Sequence, residues 1–394
     1  MIPMTQEEIA EALIFSGIYG ISPLDGPGTQ IISYDFSNTM VESGITFTNW
    51  TASYKALSRE IMAEYERVLD VDFSEASHNS TNRHLELGLA SDIPGNTVGT
   101  GGYSYGFSGG NIDYDGFQYT ENLDAQSYRE VFAHELGHAL GLKHTFSGSP
   151  VIPDAYDHEG YSVMSYTGDP GPSVKTGYNG FWNILQEHDL AILDVVGLQH
   201  VWGERLDHNT SDTTYGTVTE MHRTLVDGGG NDTIDLGGWQ TDKMEMYIDL
   251  GRGGLSEVGR DTGGVPEFLR FAIDYHSDIE NVVAPNTERI DVKGNDLANV
   301  IAASEVFGAG GFETADHFEG LGGNDTMTGF TGDDTLLGGS GNDDMSGGDD
   351  DDLVLGGTGA DLISGDDGHD LLGGDAMSEA ELIAEFAAAG FDIA

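Results

Sequence analysis

The sequence contains no cysteine, which excludes a disulfide framework. That absence fits bacterial-type secreted proteins and many cytosolic ones alike. Basic residues are scarce. Fifteen Lys and Arg stand against 68 Asp and Glu, a formal charge of −53. A chain this acidic is repelled by polyanions, so neither nucleic acid nor an anionic membrane surface is expected as a partner. Lys293 is the last basic residue, and the 101 residues after it carry none. No apolar run approaches the ~18 residues that a bilayer crossing needs, so no membrane span is expected. The N-terminus, MIPMTQEEIAEAL, has neither a basic n-region nor an apolar h-region, and no Sec signal peptide is expected.

What is present points to a folded chain that takes up cations. Hydrophobic residues make up 38% of it, with 4 Trp, 16 Tyr and 17 Phe, too many for a disordered acidic polymer. Glycine, at 58 residues, is roughly double its usual ~7% share. Composition divides the chain into residues 1–205, of mixed helical and strand pattern; a polar linker, 206–225; an acidic, glycine-rich stretch, 226–374; and a C-terminal helix, 375–394. The expected fold class is an α+β domain followed by an all-β parallel β-roll.

In the first part, Thr5 and Glu8 form a capping box that opens a short helix. IISYDF, GITFTN and RHLELGLA read as strands, and YSYGFSGGNIDYDGF as a hairpin. Leu57, Ile61, Met62, Tyr65, Val68 and Leu69 recur at helical spacing over Tyr54–Leu69. Further helices are expected over Gln126–Leu142 and Gln186–Val201.

One stretch of the third helix carries chemistry: His134-Glu-Leu-Gly-His138-Ala-Leu-Gly141-Leu-Lys-His144. His134 and His138, at i and i+4, share a helix face and can meet one metal. Glu135 stands where a bound water would lie. Gly141 can end the helix in the left-handed region, turning the chain so that His144 arrives as a third ligand. Three neutral histidines leave the fourth position of a zinc ion open, as catalysis requires. Twenty residues on comes Tyr161-Ser-Val-Met164-Ser-Tyr166.

The acidic part has a period of nine. From Gly320 it divides as GLGGNDTMT, GFTGDDTLL, GGSGNDDMS, GGDDDDLVL, GGTGADLIS and GDDGHDLLG. Aspartate recurs at position six, as Asp325, Asp334, Asp343, Asp352, Asp361 and Asp370, and an aliphatic or methionine at position eight. This is the RTX nonapeptide. Glycines permit the turns. Two repeats make one coil, so Asp325, Asp343 and Asp361 line one edge and Asp334, Asp352 and Asp370 the other. Carboxylates and turn carbonyls there offer the oxygen shell that several Ca²⁺ ions take. Phe330 and Asp350 replace consensus glycines. An isolated earlier copy places Asp227, Gly230 and Asp232 among the calcium candidates, and Lys293-Gly-Asn-Asp296-Leu-Ala-Asn-Val-Ile is a weaker echo. Residues 236–288 do not match the repeat and read as β-rich.

HELGHALGLKH followed by YSVMSY, together with the nonapeptides, resembles the serralysin family of secreted zinc endopeptidases within the metzincins. The helix over Tyr54–Leu69 and the segment HDLAILDVVGLQHVWG resemble family helices as well. The resemblance implies one catalytic zinc held by His134, His138, His144 and, in the resting state, Tyr166. It implies Glu135 as general base, Tyr166 as oxyanion stabiliser and Met164 as the turn methionine beneath the site. It further implies protein or peptide substrates, type I secretion machinery as a partner, extracellular localisation, a proteinaceous inhibitor as a candidate partner, and a monomer. The final Phe391-Asp-Ile-Ala resembles the end of a type I export signal. The family's usual pro-segment before the first helix is not seen in the sequence.

Two rival readings remain open at this level. One is a non-enzymatic calcium-binding RTX surface protein with an inactive protease-like domain. The other is a different metzincin branch with an unrelated acidic tail, which the YSVMSY turn and the nonapeptides argue against. His84, His158, His188, His200, His208, His276, His317 and His369 lack ligand spacing and are expected on the surface or in packing.

Overall fold

A computed structural model describes residues 2, 4–15, 30–37, 44–76, 84–93, 99–108, 111–121, 123–167, 190–216, 223–237, 245–261, 266–284, 289–303 and 315–374. The expected C-terminal helix lies outside them, as does His188. The chain forms two compact units, residues 1–208 with 222–226, and 209–221 with 227–394.

In the first unit, helix α1 (Gln6–Leu13) is closed by the Thr5–Glu8 capping box. Strands β1 (Gln30–Ser37), β2 (Thr46–Phe47), β3 (Val71–Glu75), β4 (His84–Asp92), β5 (Gly99–Ser108) and β6 (Asn111–Glu121) make one sheet. Its order is β3-β1-β4-β6-β5, with β2 paired to β4. The first four strands of that path run parallel, and β5 returns antiparallel to β6 as the expected hairpin. That leaves β5 on the edge. Helix α2 (Ala52–Val68) buries Ile61, Met62, Tyr65 and Val68, and Tyr65 donates to the Ala133 carbonyl of helix α3 (Ala125–Leu140) at 2.7 Å. Helix α4 (Ile192–Trp202) is buried almost all round, and Trp202 donates to the Leu140 carbonyl at the end of α3. It starts at Ile192, and residues 186–189 of the expected helix lie outside the described residues. Asp194, at the third helical position, accepts from the Ala191 N–H at 3.1 Å and sets the boundary.

The second unit is a β-roll whose strands pair in parallel except around 255–261 and 266–273, which pair antiparallel. Its two sheets stack every second segment, so strands 326–331, 344–349 and 362–367 share one face and 335–340, 353–358 and 371–373 the other. Met327, Leu336, Met345 and Val354 point inward and are fully buried. In the last coil Ile363 is half-buried and Leu372 is 46% exposed, because no further strand pairs beyond them among the described residues.

The position-six side chains form two ladders. The Asp325 N–H donates to Asp343 Oδ1, and the Asp343 N–H to Asp361 Oδ1. Asp334, Asp352 and Asp370 do the same on the other edge. The ladders run further back than the sequence repeat. Asn299 and Asp316 occupy the same station, donating to and accepting within the columns. In the echo that follows Lys293 the ladder residue is Asn299, with Ile301 inward.

Position one is glycine for space rather than for turn geometry. A Cβ there would collide with the position-six carboxylate at each of Gly320, Gly329, Gly338, Gly347, Gly356 and Gly365. Positive φ belongs to positions two and four. Phe330 (76°) and Asp350 (82°) adopt it without glycine, and so do Leu321 (70°) and Asp366 (65°), which the consensus comparison passed over.

Candidate metal centre

Helix α3 presents His134 and His138 one turn apart, and their rings meet at 89° with centroids 4.8 Å apart. The helix ends where expected. Gly141 has φ 117°, and the Leu142 N–H donates to the Gly137 carbonyl at 2.9 Å. The chain then folds back and delivers His144.

The proton positions follow from the partners. His134 Nδ1 lies 2.7 Å from the Val163 carbonyl and His138 Nδ1 2.8 Å from the Leu142 carbonyl. A carbonyl can only accept, so both Nδ1 atoms carry hydrogen and both Nε2 atoms present lone pairs. Those Nε2 atoms stand 3.2 and 3.1 Å from His144 Nε2. The Tyr166 hydroxyl lies 2.9 Å from the same atom. One proton on His144 cannot satisfy this convergence, whereas a zinc ion accepts all three lone pairs. Burial depresses the histidines in the same sense. His134 and His138 are lowered to about 4, mainly by desolvation, and His144 is lowered by the same cause. The imidazoles are therefore neutral and ready to ligate at neutral pH.

Glu135 is buried beside them, and its carboxylate accepts from the Gly101 N–H of β5. Desolvation raises it to about 7 against that hydrogen bond. Gly99 and Gly101 are small because a Cβ at either would strike Glu135, its side chain from Gly99 and its backbone from Gly101. Met164 is fully buried beneath the helix. Tyr166 is 66% exposed and points its hydroxyl at the cluster.

Two carboxylates that the sequence reading missed hold the loops. Asp194 accepts from the Ser162 hydroxyl at 2.6 Å and the Val163 N–H at 2.8 Å, while the Val163 carbonyl orients His134. Asp157 accepts from the Thr145 hydroxyl and, at 2.7 Å, from the Ser165 hydroxyl. One carboxylate thereby ties the residue after His144 to the residue before Tyr166. Neither has a periodic or spaced signature in the sequence. Of the other histidines, His84 is buried against the Ser33 hydroxyl at 3.0 Å, and His158 packs on Tyr161. Among the described residues the only cluster of three or more His, Cys, Asp or Glu ligand atoms is His134, His138 and His144.

Residues 117–168, the segment with this geometry, match the Met-zincin family. Residues 310–345 and 346–376 match the RTX calcium-binding nonapeptide repeat. Metallopeptidase AprA of Pseudomonas marginalis is 29% identical over 335 residues, 75% of this chain and 66% of that protein. Serralysin C of Dickeya chrysanthemi is 30% identical over 227 residues, 52% of this chain and 41% of that protein. Over these segments the chain is similar to serralysin-type metallopeptidases. It spans 41–66% of the length of these two relatives. The two family matches support a fold of metzincin domain followed by β-roll, with zinc and calcium as the metals.

The roll fits calcium by the same logic as the histidines fit zinc. Asp325, Asp334, Asp343 and Asp352 each spend Oδ1 on the ladder and leave a buried Oδ2 without a hydrogen-bond partner. Around the Cβ direction of Gly320, Asp325 Oδ2 and the Gly338 carbonyl converge, two acceptors with no donor. Asp361 and Asp370, in the last coil, are half-exposed. Near the start of the roll, Asp232 accepts from the Thr213 N–H at 2.7 Å, leaves Oδ2 unpartnered, and is raised to about 7, chiefly by burial. Both Asp227 oxygens are already engaged, by the Gly229 N–H and the Tyr215 hydroxyl. Gly230, with φ 153°, packs against Ser211 and Asp212. No helix among the described residues is long and apolar enough to cross a membrane.

Proposed function

We propose that the protein is a secreted endopeptidase, zinc-dependent in its first domain (residues 1–205) and calcium-stabilised in its roll (226–374). The observation that carries this is the convergence of three Nε2 lone pairs beside a buried carboxylate. Bound zinc supplies Lewis acidity, polarising the scissile carbonyl and lowering the pKa of water toward ~7.

The chain's own residues do the rest. Glu135, fixed by the Gly101 N–H, takes a proton from the attacking water as its oxygen bonds to the scissile carbonyl carbon, and returns that proton to the leaving amine. The Tyr166 hydroxyl, 2.9 Å from His144 Nε2, would help the three histidines hold zinc in the resting state and would donate to the oxyanion as it develops. The free side of β5 accepts an extended peptide as an added strand, so affinity comes from main-chain bonds and specificity stays broad. Asp157 and Asp194 keep His144, Tyr166 and His134 in register.

Asp232 and the six repeat aspartates would hold calcium in the roll, which would neutralise the carboxylates there, with the Asp227 and Gly230 turn shaping the first site. At low cytosolic calcium the acidic chain stays open for a type I export channel, and outside it folds. The protein acts as a monomer on protein or peptide substrates, and the cleft is open to a proteinaceous inhibitor.

Glu135→Gln tests the reading. The variant should keep its zinc by mass spectrometry and lose casein hydrolysis, because the histidines remain and the base does not. Near-wild-type turnover would sink the assignment. A wild-type protein that binds zinc and digests nothing would favour the inactive-domain alternative.

A further inference from the structure

The two residues after His144 behave in opposite ways. Thr145 is fully buried with its hydroxyl held by Asp157. The Ser147 N–H donates to the His144 carbonyl at 3.0 Å, a tight turn that throws Phe146 outward. Phe146 is 46% exposed, yet its ring is ordered by two neighbours. It stacks on His144 at 5.0 Å and 11°, and it lies 5.4 Å from the Tyr166 ring at 52°. On the far side of the cluster, Phe15 is 37% exposed, its ring 6.3 Å from that of His138. Large aromatics normally go to the core, so exposed rings lining a metal cluster are a docking surface for something apolar.

We propose that Phe146 is a specificity-determining residue: its open face is the wall on which an aromatic or large aliphatic side chain next to the scissile bond packs. This rests on the endopeptidase reading above. Reach supports it. A carbonyl at the Tyr166 hydroxyl is within about one residue step, ~3.8 Å between consecutive Cα atoms, of a side chain against Phe146. Chemistry supports it too. A ring already stacked on His144 offers its outer face to a second apolar group, in the offset or edge-on contacts that aromatic pairs prefer. An acidic side chain there would lose hydration against an apolar wall on a chain of charge −53.

The test uses the full chain loaded with zinc and calcium. An unfolded protein substrate is digested with wild type, Phe146→Ala and Phe146→Leu, and the cut sites are read by mass spectrometry. Wild type should favour Phe, Tyr, Leu or Met over Ala at one position flanking the cut by about tenfold or more. Phe146→Ala should flatten that ratio, and Phe146→Leu should keep most of it. In parallel, Glu135→Gln should bind a Phe-flanked peptide about tenfold tighter than its Ala-flanked counterpart by fluorescence anisotropy, and adding Phe146→Ala should erase the difference. Enrichment of Arg or Lys at that position, or an unchanged profile in Phe146→Ala, overturns the proposal. The two levels separate cleanly. Selective binding without any cleavage refutes the endopeptidase reading and leaves the subsite standing, whereas cleavage without selectivity refutes the subsite alone.

Discussion

The sulfur of Met164 lies 2.8 Å from the place a Cβ on Gly137 would occupy. Gly137 sits between the two helical histidines, on the turn that carries Glu135. The methionine of the lower turn is thus seated against bare helix backbone, and the two chain segments that build the metal site meet there without a spacer.

A single methyl group should therefore disturb the centre. In Gly137→Ala the new Cβ displaces Met164 and with it the turn that orients His134 through Val163. Zinc affinity, measured by chelator competition, should fall by roughly 10- to 100-fold, the range seen when supporting contacts to metal ligands are lost. Helix content should hold, since alanine is the better helix former. Unaltered zinc affinity would show that the close fit has no bearing on the site.

Tyr166→Phe should retain zinc and the fold, because the ring is two-thirds exposed and its stacking on His134 at 5.4 Å is preserved. The hydroxyl is asked to act after attack on the carbonyl. Its loss should lower kcat by about 10²–10³ with little change in KM. A collapse of KM with kcat intact would make it a substrate-binding group.

Calcium uptake by the roll should weaken in acid. Burial pushes Asp334 up to about 9 and Asp352 to about 7, so both hold a proton at pH 6 in the metal-free folded coil. Calcium has to displace that proton, and the calcium midpoint should lie at higher concentration at pH 6 than at pH 8. In chelator the sign reverses. A carboxyl raised on folding favours the folded coil below its unfolded value near 4, and that contribution disappears as pH climbs through the folded values. Hydrogen exchange over residues 326–373 of the whole chain should show both trends. A calcium midpoint independent of pH would contradict the carboxylate assignment.

Leu321 holds φ 70° with its side chain 40% exposed. Replacing it with glycine removes a strain of about 1–2 kcal/mol at little loss of packing. The calcium-loaded roll should melt a few degrees higher, at ~2–4 °C per kcal/mol for a unit of this size. The same change at Phe330, which is half-buried, should gain less.

Much of the molecule was legible as spacing. Local periodicity is a property of the chain itself, so the i, i+4 histidines, the capping box and the nine-residue repeat predicted a metal-binding helix, α1 and a two-sided roll before any contact was known. Tertiary structure decided what has no period. Asp157 and Asp194 act on loops 8 and 31 residues away in sequence. Asn299 and Asp316 belong to the ladders because strands stack there, although their surroundings had drifted from the repeat. The small size of Gly99, Gly101 and Gly137 reflects what lies across from them, and Phe146 owes its place on His144 to the turn behind it. A side chain's type and spacing are written in one dimension, but which atom faces an unpaired lone pair is settled only when distant segments share the same few ångströms.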